Sequence, residues 1–367
     1  MHIKVARAAI AEALNNAQAA VTAKTTLVVL QNVKIDAENG KAVFTCSDLD
    51  MTLISSVECE VIEEGSTTLP VKLLATAIGK VVDGIVEIDV GKDDKARIKA
   101  GTSVFRLNGI PAKEFPTLPA VNGSSATIPA NVLREMFRKV SFAMSQDETR
   151  RSLNGVNLSF KENGKVVSVA TDGRRLAMLE CEAEFPKEFV NSVIIPKKTV
   201  DVLLKRLPKD GDVVVTLAGA QLRVECPSLV IMTKLIDEQY PNVAAVIPTA
   251  NDKKVVLERV EFLGAIDRVS IFSAESDSFS MNFKFENNTV VLSSKETEIG
   301  DGRDEMPVVY NGEAIEAVYN PQYVRDALNV IDEDDIEFNF SNAHAPVVIR
   351  NSNGTNYTYV LMPLRVQ

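Results

Sequence analysis

The sequence predicts an α+β protein made of three similar domains, each with two helices packed on antiparallel sheets. Three β-hairpin patterns support this prediction, since apolar and polar residues alternate on both sides of an Asn-Gly or Asn-Asn turn. The turns lie at Asn39, Asn163 and Asn287, an interval of 124 residues both times. Such an interval is the length of a domain, whereas a solenoid repeat has roughly 20–50 residues. We expect both central residues of an Asn-Gly turn to take positive φ.

A helical pattern recurs at the same place in each repeat, after the hairpin. Segments 72–82, 198–207 and 322–331 carry apolar residues at helical spacing, and each is followed by an alternating, strand-like segment. A second helix opens each domain, so the predicted helices are 6–20, 71–83, 131–141, 197–207, 258–269 and 321–331. Each domain therefore follows the order helix, hairpin, strand, helix, strands, in which helices cover antiparallel sheets.

Two polar segments predict the domain boundaries. Residues 121–125 (Val-Asn-Gly-Ser-Ser) and 248–252 (Pro-Thr-Ala-Asn-Asp) are rich in turn-forming residues. The predicted domains are residues 1–121, 126–248 and 253–367.

Composition argues against several functional classes. No apolar run approaches the roughly 18–20 residues of a membrane span, and the N-terminus lacks a signal-peptide pattern, so we expect a cytoplasmic protein without a membrane partner. The four cysteines form no C-x-x-C pair and are expected to be buried thiols. Two histidines leave little for a His-based catalytic or zinc site, so we expect no metal and no cofactor.

Charge is distributed unevenly. The net charge is −10, but the six predicted helices carry 13 Lys/Arg against 8 Asp/Glu. An excess of cations on a set of helices in an acidic chain is either an ordinary solvated surface or a surface for an anionic partner such as nucleic acid.

Catalysis has little support in the sequence. Acidic residues cluster at 332–335 and at 300–304, but neither segment has the glycine and glutamate spacing of an EF-hand. The sequence also contains no nucleophile elbow, P-loop or dinucleotide fingerprint. We therefore expect a protein that is not an enzyme.

Two segments carry a resemblance to a known family. Residues 170–177 read Ala-Thr-Asp-Gly-Arg-Arg-Leu-Ala, and residues 359–365 read Tyr-Val-Leu-Met-Pro-Leu-Arg. Together with Arg150, the Leu-Asn-Gly at 153–155 and the threefold repeat, they resemble the bacterial β sliding clamp, the processivity subunit of DNA polymerase III. This resemblance implies three DNA-clamp domains per chain and a head-to-tail homodimer whose six domains form a ring. Such a ring encircles double-stranded DNA without sequence specificity, tethers the replicative polymerase and catalyses nothing.

The resemblance implies a DNA-facing surface on the helices and on nearby loops. Contacts to phosphates carry no sequence information, which lets a ring slide. Arg151 stands where the family can have an aromatic residue, and we expect it to contribute charge instead. The expected DNA-facing residues are Lys24, Lys80, Arg138, Lys139, Arg151, Lys197, Lys198 and Lys205.

The resemblance also implies a cleft that binds partner peptides between the second and third domains. Its expected ligands are Gln-Leu-x-Leu-Phe peptides of the polymerase alpha subunit, the clamp loader, repair polymerases, ligase and mismatch-repair proteins. Arg174 replaces a histidine that is familiar in the family, which leaves the exact peptide preference open. The expected wall residues are Leu153, Thr171, Gly173, Arg174, Arg175, Leu176, Pro241, Val246, Val360, Met362, Pro363, Leu364 and Arg365.

Ring closure is expected to use edge strands, because an unpaired edge is a template for another chain, and the resemblance places the first domain against the third. Opposite charges would fix the register. The expected interface residues are Lys72, Phe105, Ile271, Phe272, Glu296, Glu298, Asp301, Asp304 and Glu305.

One alternative is a repeat-built scaffold that binds proteins without encircling DNA. It shares the cleft but needs no basic helices. Charge reversal of the helix cations distinguishes the two hypotheses, since only a clamp would lose processivity. A nucleoid-associated cytoplasmic location follows from the clamp hypothesis.

Overall fold

The computed structural model describes residues 1–21, 25–82, 84–273, 279–298, 300–352 and 356–365. These residues form two compact units. The first comprises Met1–Asn131, Glu184–Phe189 and Asp201–Leu235, and the second comprises Val132–Ala183, Val190–Val200 and the chain from Ile236 onward. No helix in these ranges is long and apolar enough to span a membrane.

All six predicted helices are confirmed. Their bounds are α1 (Arg7–Ala17), α2 (Val71–Lys80), α3 (Ala130–Arg138), α4 (Lys197–Arg206), α5 (Arg259–Ser273) and α6 (Pro321–Leu328). Most of these helices end before the last residue predicted for them, whereas α5 extends to Ser273, beyond the predicted end at residue 269. The start of α6 is specified locally, since Asn320 Oδ1 accepts a hydrogen bond from Gln322 N at 2.9 Å and Pro321 occupies the first turn.

Strands make up most of the remaining regular structure. From the N-terminus they are β1 (His2–Ala6), β2 (Asn32–Glu38), β3 (Lys41–Ser47), β4 (Met51–Glu58), β5 (Glu60–Glu63), β6 (Gly65–Pro70), β7 (Ile85–Val90), β8 (Lys95–Ala100), β9 (Ser103–Asn108) and β10 (Ser124–Pro129). They continue as β11 (Gly155–Phe160), β12 (Lys165–Thr171), β13 (Arg175–Glu182), β14 (Asn191–Pro196), β15 (Asp212–Ala218), β16 (Gln221–Cys226), β17 (Leu229–Lys234), β18 (Lys253–Glu258), β19 (Met281–Glu286), β20 (Thr289–Ser294), β21 (Arg303–Pro307), β22 (Ile315–Tyr319), β23 (Asp335–Phe340), β24 (Val347–Asn351) and β25 (Tyr357–Leu361).

Each unit contains one eight-stranded sheet and one smaller sheet. In the first unit the strand orders are β10-β15-β16-β17-β4-β3-β2-β6 and β5-β1-β7-β8-β9. In the second unit they are β14-β11-β12-β13-β25-β24-β23-β18 and β21-β20-β19-β22. Each large sheet joins strands of two consecutive repeats, because β4 pairs with β17 and β13 pairs with β25, both antiparallel.

The repeated hairpin turns have two conformations. Asn39 and Gly40 have φ of 49° and 74°, and Asn287 and Asn288 have φ of 51° and 58°, as expected for two-residue hairpin loops. In the second repeat only Gly164 has positive φ, at 78°, and its N–H donates to Lys161 O at 3.1 Å. The prediction of two positive-φ residues is therefore wrong there, since a type I turn followed by a left-handed glycine gives a three-residue loop.

The cysteine prediction is half right. Cys46 and Cys226 are buried, but Cys59 and Cys181 are only half-buried. All four are free thiols, and burial raises the pKa of each thiol.

Candidate functional site

The second unit contains a cleft of about 280 Å³ at the junction of β13 and β25. Most of the predicted wall residues line it, except Pro363, Leu364 and Arg365. The full lining consists of Arg150, Leu153, Thr171, Gly173, Arg174, Arg175, Leu176, Pro241, Asn242, Val243, Val246, Val360 and Met362. The cleft is thus mainly apolar with a few polar groups at its rim, which is the usual composition of a ligand site.

The floor of the cleft is part of the packed core. Leu176 and Val360 lie directly opposite each other on β13 and β25 and are 3% and 4% exposed. Tyr240 packs against this floor, and burial raises the pKa of its phenol well above the ordinary value. Two wall residues remain open, since Val246 is 55% exposed and Met362 is 47% exposed. A rigid floor with open apolar walls suits the insertion of a partner's apolar side chains.

The turn between β12 and β13 forms one wall and is held by its own side chains. Thr171 Oγ1 accepts a hydrogen bond from Gly173 N at 3.0 Å, and Asp172 Oδ1 accepts one from Arg174 N at 2.9 Å. Gly173 has φ of 85°, and a Cβ added there would lie 2.8 Å from Arg150 Nη2. Arg150 Nη1 itself donates to Asp172 O at 2.7 Å. The backbone conformation therefore favours glycine here, and a Cβ would also displace the flexible end of Arg150.

Arg175 lines the cleft, but its guanidinium is bound within the protein. Nη1 donates to Asp326 Oδ2 at 2.6 Å, Nε donates to Asp172 Oδ2 at 3.1 Å, and Nη2 donates to Phe142 O at 2.6 Å. The group also lies 4.2 Å from the centre of the Tyr323 ring. With a side chain only 9% exposed, Arg175 supports the wall, whereas the exposed Arg150 and Arg174 supply charge at the rim.

Residues 363–365 follow β25 and do not line the cleft. After β25 the backbone N–H of Leu364 donates to Val318 O on β22 at 2.7 Å. This bond directs the chain along the smaller sheet. The assignment of Pro363, Leu364 and Arg365 to the wall stays a prediction from the resemblance, and Arg150, Asn242 and Val243 line the cleft in addition. The sequence offered a sign of each of these three residues. Asn242 and Val243 follow the predicted Pro241, and Arg150 belongs to the segment that resembles the family.

Most of the predicted DNA-facing residues lie in accessible positions. Lys80 and Lys205 are exposed in the last turns of α2 and α4, while Lys197 and Lys198 are half-buried in the first turn of α4. Arg151 is exposed, with Nε 3.8 Å from Glu238 Oε1. Lys24 lies outside the described residues.

Two cations predicted to face DNA are bound to carboxylates. Lys139 Nζ donates to Asp332 Oδ2 at 2.8 Å and has a side chain only 9% exposed, which does not favour a contact with DNA. Arg138 donates to both Glu135 and Asp332 and is largely neutralised. Burial raises the pKa of the Asp332 carboxyl, but the bond from Lys139 and the two positive charges outweigh it and lower that pKa overall. Both cations thus hold Asp332, in the segment between α6 and β23.

The predicted interface residues lie at sheet edges or on exposed surface. Phe105 is on β9, the outermost strand of its sheet, and Asp304 and Glu305 are on β21, also outermost. Ile271 is 67% exposed near the end of α5, while Phe272 is half-buried beside Gly302. The other predicted interface residues are exposed, namely Lys72, Glu296, Glu298 and Asp301.

Comparisons with known proteins cover the chain from end to end. Three family models match: the DNA polymerase III beta subunit N-terminal domain at residues 1–119, its central domain at 127–242 and its C-terminal domain at 244–365. The beta sliding clamp of Chlamydia pneumoniae is 31% identical over 100% of this chain and 99% of its own length. That of Pseudomonas aeruginosa is 32% identical over 100% of both chains.

Solved structures agree with the sequence matches. A crystal structure of the Pseudomonas aeruginosa sliding clamp bound to griselimycin has a TM-score of 0.95 at 31% identity, with 100% of both chains covered. The griselimycin-bound clamp of Bartonella birtlesii has a TM-score of 0.95 at 33% identity, again with 100% of both chains covered. The chain belongs to the family of DNA polymerase III beta subunits, the bacterial sliding clamps.

Proposed function

We propose that this sliding clamp closes as a head-to-tail homodimer around duplex DNA and tethers replication and repair proteins through the cleft at β13 and β25. The observation that carries this proposal is the cleft itself, with an apolar floor and half-exposed apolar walls. The clamp needs no catalytic group of its own, because its contribution is to keep a polymerase at the primer end. We propose a cytoplasmic, nucleoid-associated location on the same grounds.

Ring closure is supported by two of the outermost strands, β9 and β21. Strands β9 and β21 are outermost in their sheets, so within the described part of the chain each has one side without a neighbouring strand, which a second copy of the chain can complete. Exposed carboxylates surround β21, while β8 beside β9 carries Lys95, Arg97 and Lys99. Complementary charge of this kind fixes the register in which β9 of one copy would pair with β21 of the other. Within the ring we retain domains of residues 1–121, 126–248 and 253–367.

DNA binding is proposed for the predicted cations Lys80, Arg151, Lys197, Lys198 and Lys205, of which Lys80, Arg151 and Lys205 are exposed. Lys24 stays a proposal from the sequence alone. Because retention on DNA follows from the closed ring, these cations need only weak, sequence-independent contacts with phosphates.

Partner binding is proposed for extended peptides of the form Gln-Leu-x-Leu-Phe. The proposed partners are the polymerase alpha subunit, the clamp loader, repair polymerases, ligase and mismatch-repair proteins. The leucine and phenylalanine side chains would pack on Leu176 and Val360, between Val246 and Met362. An unbranched methionine adapts its shape, which suits one wall to several partners.

Peptide binding tests the proposed cleft directly. We expect fluorescence anisotropy to show saturable binding of a labelled Gln-Leu-Ser-Leu-Phe peptide with a Kd on the order of micromolar, about −8 kcal/mol. Met362→Ala should weaken binding about tenfold, because it removes apolar contact area worth roughly 1.4 kcal/mol. Ile62→Ala is the matched control, since Ile62 is also 47% exposed but does not line the cleft. A folded wild-type protein that binds no peptide would refute this site.

Charge reversal tests the proposed DNA surface. We expect Lys197→Glu with Lys198→Glu to shorten polymerase products several-fold in a loaded-clamp extension assay, because repulsion replaces attraction to phosphates. The decrease in product length should grow as the salt concentration is lowered, since salt then screens the repulsion between the glutamates and the phosphates less.

Lys41→Glu with Lys92→Glu is the control for that experiment. It makes the same change in net charge at exposed positions outside the helices. Equal product lengths for the two double variants would favour a scaffold that does not encircle DNA.

A further inference from the structure

A second cavity, of about 230 Å³, lies between α1 and the C-terminal half of β4 in the first unit, and we call it the α1 cavity. Glu12, Ala13 and Asn16 line it from α1, and Ser55 lines it from β4. None of these residues lines the cleft at β13 and β25. The α1 cavity is therefore separate from the proposed peptide site.

Ser55 brings a buried hydroxyl group to the α1 cavity. The residue is only 2% exposed, and its Oγ has no hydrogen-bond partner within the described part of the chain. Burying a hydroxyl without a partner is unfavourable, so such groups are uncommon in folded proteins. An unpartnered hydroxyl in the lining of a cavity thus favours a ligand that forms a hydrogen bond with it.

Glu12 adds a negative charge beside this hydroxyl. Its side chain is exposed and forms no ion pair among the residues that the structure describes. Arg206 Nη2 donates to Asn15 O at 2.9 Å, but neither of these residues lines the cavity. A carboxylate, a hydroxyl and the amide oxygen of Asn16 together suit a cation with several N–H donors.

The second repeat contains the same arrangement of helix residues. The helices α1 and α3 begin alike, since the N–H of each first residue donates to a glycine carbonyl oxygen, at 2.8 and 2.9 Å. Glu12 and Glu135 are each the sixth residue of their helix, and Asn16 and Lys139 each stand four residues later. Asn16 is therefore the equivalent of Lys139.

The strands beside the two helices are equivalent as well. Ser55 of β4 lies opposite Leu229 of β17, and Leu179 of β13 lies opposite Tyr357 of β25. Ser55 therefore stands at the position that Leu179 has in the second repeat. The place of the α1 cavity is thus defined in the second repeat by α3 and β13.

A lysine ammonium group fills that place in the second repeat. Lys139 Nζ lies 3.5 Å from Glu135 Oε1 and 5.7 Å from the centre of the Tyr357 ring. Asp332 Oδ2 accepts a hydrogen bond from the same nitrogen at 2.8 Å, and the lysine side chain is only 9% exposed. The equivalent of Glu12 therefore already binds an ammonium group in this chain.

Smaller side chains keep the place open in the first repeat. Ala13 stands where the second repeat has the buried Met136, and Ser55 stands where it has the buried Leu179. With Asn16 at the position of the lysine, the first repeat retains the carboxylate but has no ammonium group of its own there. The α1 cavity thus has room for the group that Lys139 supplies in the second repeat.

We propose that the α1 cavity binds a primary alkylammonium group, which comes either from a free alkylamine or from a lysine side chain of another protein. The ammonium group donates hydrogen bonds to the Glu12 carboxylate and to Ser55 Oγ. The alkyl chain packs beside Ala13, where the methionine of the second repeat is missing. This site is independent of the proposed peptide cleft and of the surface proposed to face DNA.

Saturation-transfer difference NMR with n-butylammonium tests this site on the full chain. We expect saturable binding with a Kd on the order of millimolar, because Leu229 replaces the aromatic ring that Lys139 approaches. Neutral 1-butanol should bind at least about tenfold more weakly, since it lacks the charge that pairs with a carboxylate.

Two variants of acidic residues locate the binding. Glu12→Gln should weaken n-butylammonium binding about tenfold, because it removes the charged acceptor. Glu63→Gln is the matched control, since Glu63 is also exposed but does not line the cavity. This control variant should bind the amine like the wild-type protein.

Asn16→Lys recreates the arrangement of the second repeat. The new ammonium group should pair with Glu12 inside the cavity and thereby abolish binding of n-butylammonium. Thermal unfolding should begin at a higher temperature in this variant, since the lysine stem also fills the cavity.

The amide Nα-acetyl-lysine methylamide distinguishes the two sources of the ammonium group. Binding of this amide alone would assign the cavity to a lysine side chain of a protein, whereas binding of n-butylammonium as well would show that a free amine suffices. The proposal would be overturned if neither amine bound to the folded wild-type protein or if 1-butanol bound equally well. Unchanged amine binding by the folded Glu12→Gln and Asn16→Lys variants would also overturn it.

Discussion

Arg175→Ala is expected to lower the free energy of unfolding by about 3 kcal/mol, because breaking a buried ion pair leaves its partners uncompensated. Asp172 and Asp326, with side chains only 16% and 21% exposed, would lose their cation, and Phe142 O would lose its donor. Differential scanning calorimetry should show a transition lowered by roughly 6–12 °C. The transition of the second unit is the one to follow, since unfolding of a multidomain chain need not be two-state.

Two further variants serve as controls for this measurement. Arg175→Lys keeps the charge but loses the planar fork, so it should fall between the wild-type protein and the alanine variant. Arg174→Ala removes the same side chain from an exposed neighbouring position and should change the stability by less than about 0.5 kcal/mol. A small effect of Arg175→Ala would mean that solvent replaces the lost donors.

The repeat and the helices were predictable because they depend on local patterns. Apolar spacing at 3.6 residues marks a helix wherever the helix packs, and a glycine in a turn signals its conformation directly. The turn at Asn163 shows that the local sequence does not determine the length of a hairpin loop. The same Asn-Gly pair gives a two-residue loop at Asn39 and a three-residue loop at Asn163.

Charge pairing was not predictable, because it depends on distant residues. Lys139 and Asp332 are 193 residues apart in sequence, and only folding brings Nζ within 2.8 Å of Oδ2. Counting the cations of a helix therefore overestimates those available to DNA. The path of residues 363–365 has a similar cause, since it depends on a bond from Leu364 N to Val318 O.

Gly173→Leu is expected to weaken peptide binding by at least about 30-fold, or roughly 2 kcal/mol. The new side chain would start from a wall residue of the cleft, and its Cβ would displace the flexible end of Arg150, which also lines the cleft. Anisotropy with the labelled peptide measures the loss, and thermal unfolding should show a stability change of only about 1–2 kcal/mol.

Gly164→Leu separates blockage from strain. Gly164 has φ of 78°, close to the 85° of Gly173, but a Cβ there meets only Ala183 O at 3.9 Å. This variant should therefore lose similar stability and bind peptide like the wild-type protein. If both variants lost binding equally, backbone strain rather than occupation of the cleft would explain the effect. If Gly173→Leu bound the peptide normally, the peptide site would lie elsewhere.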